Sequence, residues 1–298
     1  MKLLKIFREV MLQNHWQRIQ LKITIMDSNV FGKFYETENS CSSVTEKTII
    51  EYALYLRQKD INEYTVGTYL RNIRVFFYYC MKLGYMERFD ITIKKTYPEL
   101  KDVYSDIEIQ ILLKKPNVKK CDFSEYRTWV ITNFLLGTGV RLKTLQEMKI
   151  KDINFDSKQI MLRHVKNNTP YCIPLSDSLS VILKEYLRYR KGKPEDLLFC
   201  TIDGKQLKKT SVQSSIKRYN LRRGIVKSSI HLYRHTFVKH WLLSEGNIYE
   251  LQKILGHKTL NMVITYANYY GIDLNKNFQN HDLLTSVTKS GEKIKMKR

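Results

Sequence analysis

The sequence predicts a mainly α protein with a small β-sheet, arranged as two domains. Three observations carry this expectation. Apolar residues recur at helical spacing over most of the chain. One stretch, "INFDSKQIMLRHVKNNTPYCIPLS", instead alternates and holds polar turn residues. Between two helical regions lies "RFDITIKKTYPELKDV" (88–103), which loses periodicity and contains a proline, as an interdomain linker does.

Residues 45–87 read as two or three helices. "VTEKTIIEYALYLRQKD" places Ile49, Ile50, Ala53, Leu54 and Leu56 near helical spacing, with Thr45 as N-cap. In "TVGTYLRNIRVFFYYCMKLGYM" Thr65 is the expected cap and Gly84 the expected left-handed stop. Its apolar stripe is Val66, Tyr69, Leu70, Ile73, Phe76, Phe77 and Cys80, and Thr68, Arg71, Asn72 and Arg74 fall mainly on the other side. That polar side is either a solvated face or a face for a nucleic-acid groove. Residues 1–40 have only broken periodicity and form a poorly defined N-terminal segment. The helical domain is therefore set at 41–95.

A second domain, 104–288, begins at "YSDIEIQILLKKP" with Ser105 as cap. An apolar helix, a Gly-Thr-Gly break and a further helix follow in "YRTWVITNFLLGTGVRLKTLQEMK". Short strands come next, with a hairpin around Asn167-Asn168. Helices are expected near 177–190, 211–223, 231–244, 247–255 and 260–270. The ending "KSGEKIKMKR" is a basic tail, set at 289–298.

Composition narrows the partners. The chain of 298 residues carries 51 basic and 29 acidic residues, a formal net charge of +22. Such a surface concentrates a polyanion. Nucleic acid is the leading candidate. An anionic membrane is weaker, because it calls for an amphipathic anchor or dedicated basic tail, whereas these charges spread along the whole chain. No apolar run of about 18 residues spans a bilayer. "MKLLKIFREVML" carries Arg8 and Glu9 where a secretory signal needs an unbroken apolar core. Cys41, Cys80, Cys121, Cys172 and Cys200 are odd in number and form no Cys-x-x-Cys clip. They read as reduced thiols of a cytoplasmic protein.

The segment "IHLYRHTFVKHWLL" (230–243) crowds three histidines and an arginine into an apolar helical pattern. His231 and His235 share a face at a spacing known from zinc proteases, but Leu232 stands where such an enzyme needs its glutamate. His231 and Arg234 also share a face. An arginine fork beside an imidazole suits a phosphate. A capped helix start with a partly buried pair would look the same. Downstream, "LQKILGHKTLNMVITYANYY" ends a helix at Gly256, continues with His257, and places Tyr266 nine residues further on. Upstream, Arg141 opens a helix after the Gly-Thr-Gly turn, a good position for an anion. There is no G-x-x-x-x-G-K-[ST] loop for an ATP engine and no carboxylate cluster for a two-metal nuclease.

Gly139-Val140-Arg141, then Lys166, then His231-x-x-Arg234, then Leu255-Gly256-His257, then Tyr266, in that order and context, resemble the phage-integrase family of tyrosine recombinases. The resemblance covers residues 104–280, and residues 45–90 more loosely resemble that family's helical core-binding domain. It implies a two-domain architecture, a helical core-binding domain plus an α+β catalytic domain. It implies a DNA recombinase or integrase that needs no metal and no cofactor. Tyr266 would attack the phosphorus to give a 3′-phosphotyrosine. Arg141 and Arg234 would grip the non-bridging oxygens, and Lys166 would protonate the departing 5′ oxygen. His231 and His257 would bond the phosphate and help Tyr266 lose its proton. It also implies double-stranded DNA clamped between the domains, and a homotetramer that synapses two sites. Arg71, Arg74, Lys208, Lys209, Lys217 and Arg218 are candidate DNA contacts.

His235 and His240 fall outside the motif and are read as structural, and Trp241, Leu242 and Leu243 as core. Tyr269 and Tyr270 are read as packing or surface aromatics. The chain departs from the family pattern after its first arginine, where Lys143-Thr144-Leu145 replaces a small residue, Glu and Leu, removing a supporting carboxylate. At the lysine turn Val165-Lys166-Asn167 replaces Gly-Lys-Gly. The competing readings are a catalytically inactive DNA-binding relative and a type IB topoisomerase-like enzyme. All six motif residues are present, which argues against decay. A mobile element is the expected genetic setting.

Overall fold

The computed structural model describes residues 30–35, 41–94, 103–163, 170–257 and 259–269. The chain divides into two compact units, Met1–Glu99 and Leu100–Arg298. Helices dominate both, and the second unit adds one small sheet, the fold class expected.

In the first unit α1 spans Glu46–Arg57 and α2 spans Glu63–Lys82. Thr45 caps α1 as expected. The cap of α2 is not Thr65 but Asn62, whose Oδ1 accepts the Thr65 N–H at 2.8 Å. Asparagine reaches the orphan amides of a first turn as well as threonine does, so the helix opens two residues before Thr65. Gly84 supplies the left-handed stop at φ +74°. Its N–H bonds Met81 O, and the Tyr85 N–H bonds Cys80 O at 3.0 Å. Val66, Leu70, Ile73, Phe76, Phe77 and Cys80 form a buried stripe against Ile49, Tyr52 and Leu56.

Two expectations at the edges of this unit are corrected. Residues 30–35, inside the segment read as poorly defined, are helical. Phe31 is fully buried, with its ring 4.9 Å from Tyr52 and 5.2 Å from Phe77, both edge-on. The stretch is too short to show a period, and its partners are remote in sequence. The first residues of the expected linker are also not free. Ile91 is buried, its N–H bonds the Tyr78 hydroxyl at 3.2 Å, and its carbonyl accepts from Arg74 Nη1 at 3.4 Å.

The second unit is built around α4 (Phe123–Thr138), which packs against α3 (Asp106–Leu113), α6 (Asp177–Arg190), α7 (Lys209–Leu221) and α8 (Ile230–Leu243). A helix apolar on every side belongs in the middle, and α4 buries Tyr126, Trp129, Val130, Ile131, Phe134 and Leu135. Ser105 caps α3 through a reciprocal box with Glu108. α5 (Leu142–Glu147) follows α4 at once. Strands β1 (Ile153–Asn154), β2 (Gln159–Leu162) and β3 (Tyr171–Pro174) form an antiparallel sheet in that order, with Ile160 opposite both Ile153 and Ile173. The β2–β3 turn expected at Asn167-Asn168 lies outside the described residues.

The last helices are α9 (Ile248–Leu255) and α10 (Asn261–Tyr269). With α8 they enclose a small separate core of Val238, Leu242, Leu251, Leu255 and Val263. Leu243 is not core: it is 54% exposed, because Leu242 takes the inward position one residue earlier. Cys80, Cys121, Cys172 and Cys200 are free thiols. Among the described residues no helix is long and apolar enough to cross a membrane.

Phe31→Ala is expected to lower the unfolding free energy of the first unit by about 3–5 kcal/mol, the usual cost of deleting a buried phenylalanine. A denaturant melt checks this. A loss under about 1 kcal/mol would show that residues 30–35 contribute little to that core.

Candidate active site

Two helix ends and one buried guanidinium build the site. The first end is that of α4, closed by Gly139 in the left-handed region at φ +60°. A side chain is excluded there twice over, by that conformation and by space: a Cβ would come within 2.5 Å of the Phe237 ring. The sharp exit sets Arg141 as N-cap of α5. The second end is that of α9, closed by Gly256 at φ +61°. His257 follows, its N–H on Gln252 O at 3.0 Å and its carbonyl accepting from Gln252 Nε2 at 3.1 Å.

Arg234, on α8, joins the two ends. It is only 9% exposed. Its Nη1 donates to Gly139 O at 2.7 Å, and its Nη2 donates to Leu255 O at 3.0 Å. Arg141 Nη1 donates to the same Leu255 carbonyl at 3.4 Å. These partners are neutral, and the carbonyls sit at helix C-termini, where the macrodipole favours a cation. The end of α9 thus supports Arg141 in place of the carboxylate that Lys143-Thr144-Leu145 does not supply. Burial, with Arg141 nearby, brings the Arg234 guanidinium down to about 10, so it stays charged at neutral pH.

Arg234 Nη2 also lies 2.9 Å from His257 Nε2. A guanidinium can only donate. His257 Nε2 is therefore the acceptor, and the neutral ring carries its proton on Nδ1, a buried atom with no hydrogen-bond partner among the described residues. Burial and the two arginines push the His257 pKa down to about 4, in agreement with that tautomer.

Tyr266, on α10, is half-buried against the small third core. Burial raises its phenol pKa, while Arg234 and Arg141 pull it the other way. At rest it is a neutral phenol within electrostatic reach of both arginines. His235 packs its ring 5.4 Å from the Tyr266 ring, tilted by 54°. His231 sits exposed in the first turn of α8, three residues before Arg234. That helix is anchored by a buried network: Tyr233 hydroxyl to Asn220 Oδ1 at 2.9 Å, Asn220 Nδ2 to Tyr104 hydroxyl at 3.0 Å, and Tyr104 N–H to Thr236 Oγ1 at 3.2 Å.

The structure thus brings Arg141, Arg234, His257 and Tyr266 together, with His231 one turn away from Arg234. Lys166 lies outside the described residues. Lys208, Lys209, Lys217 and Arg218 are exposed at the start and along the outer side of α7. In the first unit, Arg71 is half-buried, with Nη2 on Thr68 Oγ1 at 2.9 Å, and Arg74 is tied to Ile91 O. His240 pairs with Asp106 at 3.2 Å. Among the described residues no group of three or more His, Cys, Asp or Glu could hold a metal.

Two residues at the site escaped the sequence reading. His235, set aside as structural, touches Tyr266. Tyr171, at the start of β3, places its hydroxyl 3.2 Å from Ile254 O, under the end of α9. Only its nearness to Lys166 in the chain could have drawn attention to it.

Comparison with known proteins bears on the family and the fold. A family profile described as the phage integrase family matches residues 105–271. The chain is 25% identical over 224 residues to the tyrosine recombinase XerD of Staphylococcus saprophyticus, covering 72% of this chain and 75% of that one. It is 27% identical over 243 residues to the tyrosine recombinase XerC of Chlamydia caviae, covering 78% and 76%. Among solved structures, the Tn1549 transposon integrase in complex with a circular intermediate DNA shares the fold, with a TM-score of 0.76 at 18% identity over 94% of this chain and 99% of that one. The chain belongs to the phage integrase family of tyrosine recombinases and is a site-specific DNA breaking-and-rejoining enzyme.

The His257 environment gives a pH signature. Between about pH 6.5 and pH 4 the unfolded chain binds a proton at His257 that the folded chain refuses. Stability from this residue is therefore complete above about 6.5 and falls as the pH drops toward about 4. His257→Gln is expected to flatten the fall in melting temperature across that window, as read by calorimetry. Parallel curves for variant and wild type would contradict the assignment.

Proposed function

We propose that the chain recombines double-stranded DNA through a covalent 3′-phosphotyrosine at Tyr266. The observation that carries this reading is the convergence of Arg141 and Arg234 on one carbonyl, with His257 2.9 Å from Arg234 and Tyr266 on the adjoining helix. Two cations with neutral partners make a seat for the non-bridging oxygens of a phosphodiester. Charge that develops on those oxygens in the transition state meets donors already in place.

The steps balance without water or a high-energy cofactor. The Tyr266 phenol gives its proton to an imidazole of the site, His231 or His257, as its oxygen attacks the phosphorus; a new P–O bond forms, and the bond to the 5′ oxygen breaks. Lys166 hands that oxygen a proton as general acid. A 5′ hydroxyl from the exchanging strand then gives its proton back to Lys166 and attacks the phosphotyrosine, and Tyr266 leaves with the proton returned by the imidazole as the backbone is resealed. His257 begins neutral. A phosphate anion seated between the arginines offsets the push that depresses its pKa. His231 contributes a second imidazole from the first turn of α8.

The helical unit at 41–95 serves as core-binding domain and the unit at 104–288 as catalytic domain. Lys208, Lys209, Lys217 and Arg218 hold the DNA backbone, with Arg71 and Arg74 on the first unit. The working assembly is a homotetramer in the cytoplasm, serving a mobile element.

Incubation with a nicked duplex bearing its flanking genomic sequence, with EDTA present, is expected to give a covalent protein–DNA band on a denaturing gel. The band should vanish with Tyr266→Phe. Arg141→Ala and Arg234→Ala should each slow its formation by ~10²–10³. Bound DNA with no covalent band on a verified site would leave a binding-only protein as the better reading.

A further inference from the structure

We propose that Tyr171 is a positioning residue of this site: its hydroxyl braces the last turn of α9 and thereby sets His257 against Arg234. The inference rests on reading Arg141, Arg234, His257 and Tyr266 as the reactive set.

The last carbonyls of an α-helix have no intrahelical donor and must find one elsewhere. At the end of α9 side chains from three distant elements provide it. Arg234 of α8 and Arg141 at the head of α5 take Leu255 O. Tyr171 of β3 donates to Ile254 O at 3.2 Å, across 83 residues of sequence. Burial raises the Tyr171 phenol pKa against the pull of both arginines, so it remains a protonated donor at neutral pH.

The ring does more than donate. Gly256 lies directly on it: a Cβ at that position would come within 2.5 Å of the Tyr171 hydroxyl and 2.9 Å of Cζ. Tyr171 therefore supports the turn from below as well as bonding its carbonyl, and His257 is the next residue. β3 itself is held by pairing with β2, where Leu162 faces Tyr171. The sheet is thus a fixed point from which one side chain sets the height of the histidine turn.

Arg234 keeps its bonds to Gly139 and Leu255 when this hydroxyl is removed, and no charge is lost. The effect should fall on placement, not on affinity for DNA. Displacement of a reacting group by about 1 Å can cost ~10²-fold in rate.

The test is Tyr171→Phe in the full chain, with three readouts. These are affinity for nicked duplex, the rate of covalent complex formation, and the His257 titration followed by NMR of its ring protons. The expected result is unchanged affinity, a covalent rate lowered by ~10- to 10²-fold, and a His257 midpoint that rises from about 4 as the ring moves away from Arg234 and Arg141. An unmoved midpoint overturns the proposal whatever the rate, since a fall in rate would then reflect general loosening. A wild-type rate also overturns it. If wild-type protein forms no covalent complex, the functional reading fails instead, while the midpoint in Tyr171→Phe still decides whether the hydroxyl places His257.

Discussion

Burying a guanidinium without a carboxylate partner is costly unless its donors are satisfied, and Arg234 does so by capturing the ends of two helices. Gly139 O closes α4 and Leu255 O closes α9, and Arg234 binds both. Each carbonyl sits at the negative end of a helix macrodipole, worth about 0.3–1 kcal/mol to a nearby cation and up to about 2 kcal/mol when partly buried. The two left-handed glycines, Gly139 and Gly256, follow from the same requirement. Each ends its helix abruptly enough for the next residues to turn toward the arginine. Arg141, Arg234 and His257 are far apart in the chain, and this one side chain fixes all three relative to each other.

The same concentration of positive charge sets the protonation of the resting site. His257 is held neutral by burial and by two cations, and its acceptor nitrogen is taken up by Arg234. Tyr266 remains a phenol because burial outweighs the arginines. An anion beside the two guanidiniums would act on His257 and Tyr266 alike, raising both pKa values by offsetting the cations that lower them. At rest the site thus holds two guanidiniums, a neutral imidazole and a neutral phenol.

Support for the site is uneven. α8 is anchored through the Tyr104, Asn220 and Tyr233 network into the main core of its unit. α10, which carries Tyr266, rests on the small third core, five buried side chains with Phe237, Trp241 and Ile248 around them. Arg234 is therefore carried by a helix tied into the main core, and Tyr266 by one on the smaller core, with His235 against its ring.

Periodicity and short-range capping chemistry were enough to read the helices around 177–190, 231–244 and 247–255 to within a residue or two, because caps and stripes are local properties. The motif order likewise pointed to Arg141, His231, Arg234, His257 and Tyr266, because turn glycines and reactive side chains sit next to each other in the chain. Asn62 displaced Thr65 as cap since two good capping residues lay three apart and only backbone geometry chooses between them. Phe31, Ile91, His235 and Tyr171 were not legible as they are used. Each acts through a partner distant in sequence or on another element, and no local pattern records such a pairing. Residue types and their order were thus determined by the sequence alone. The tautomer of His257, the shared carbonyl of Leu255 and the brace under Gly256 were decided by tertiary structure, because hydrogen bonds and burial belong to the packed chain.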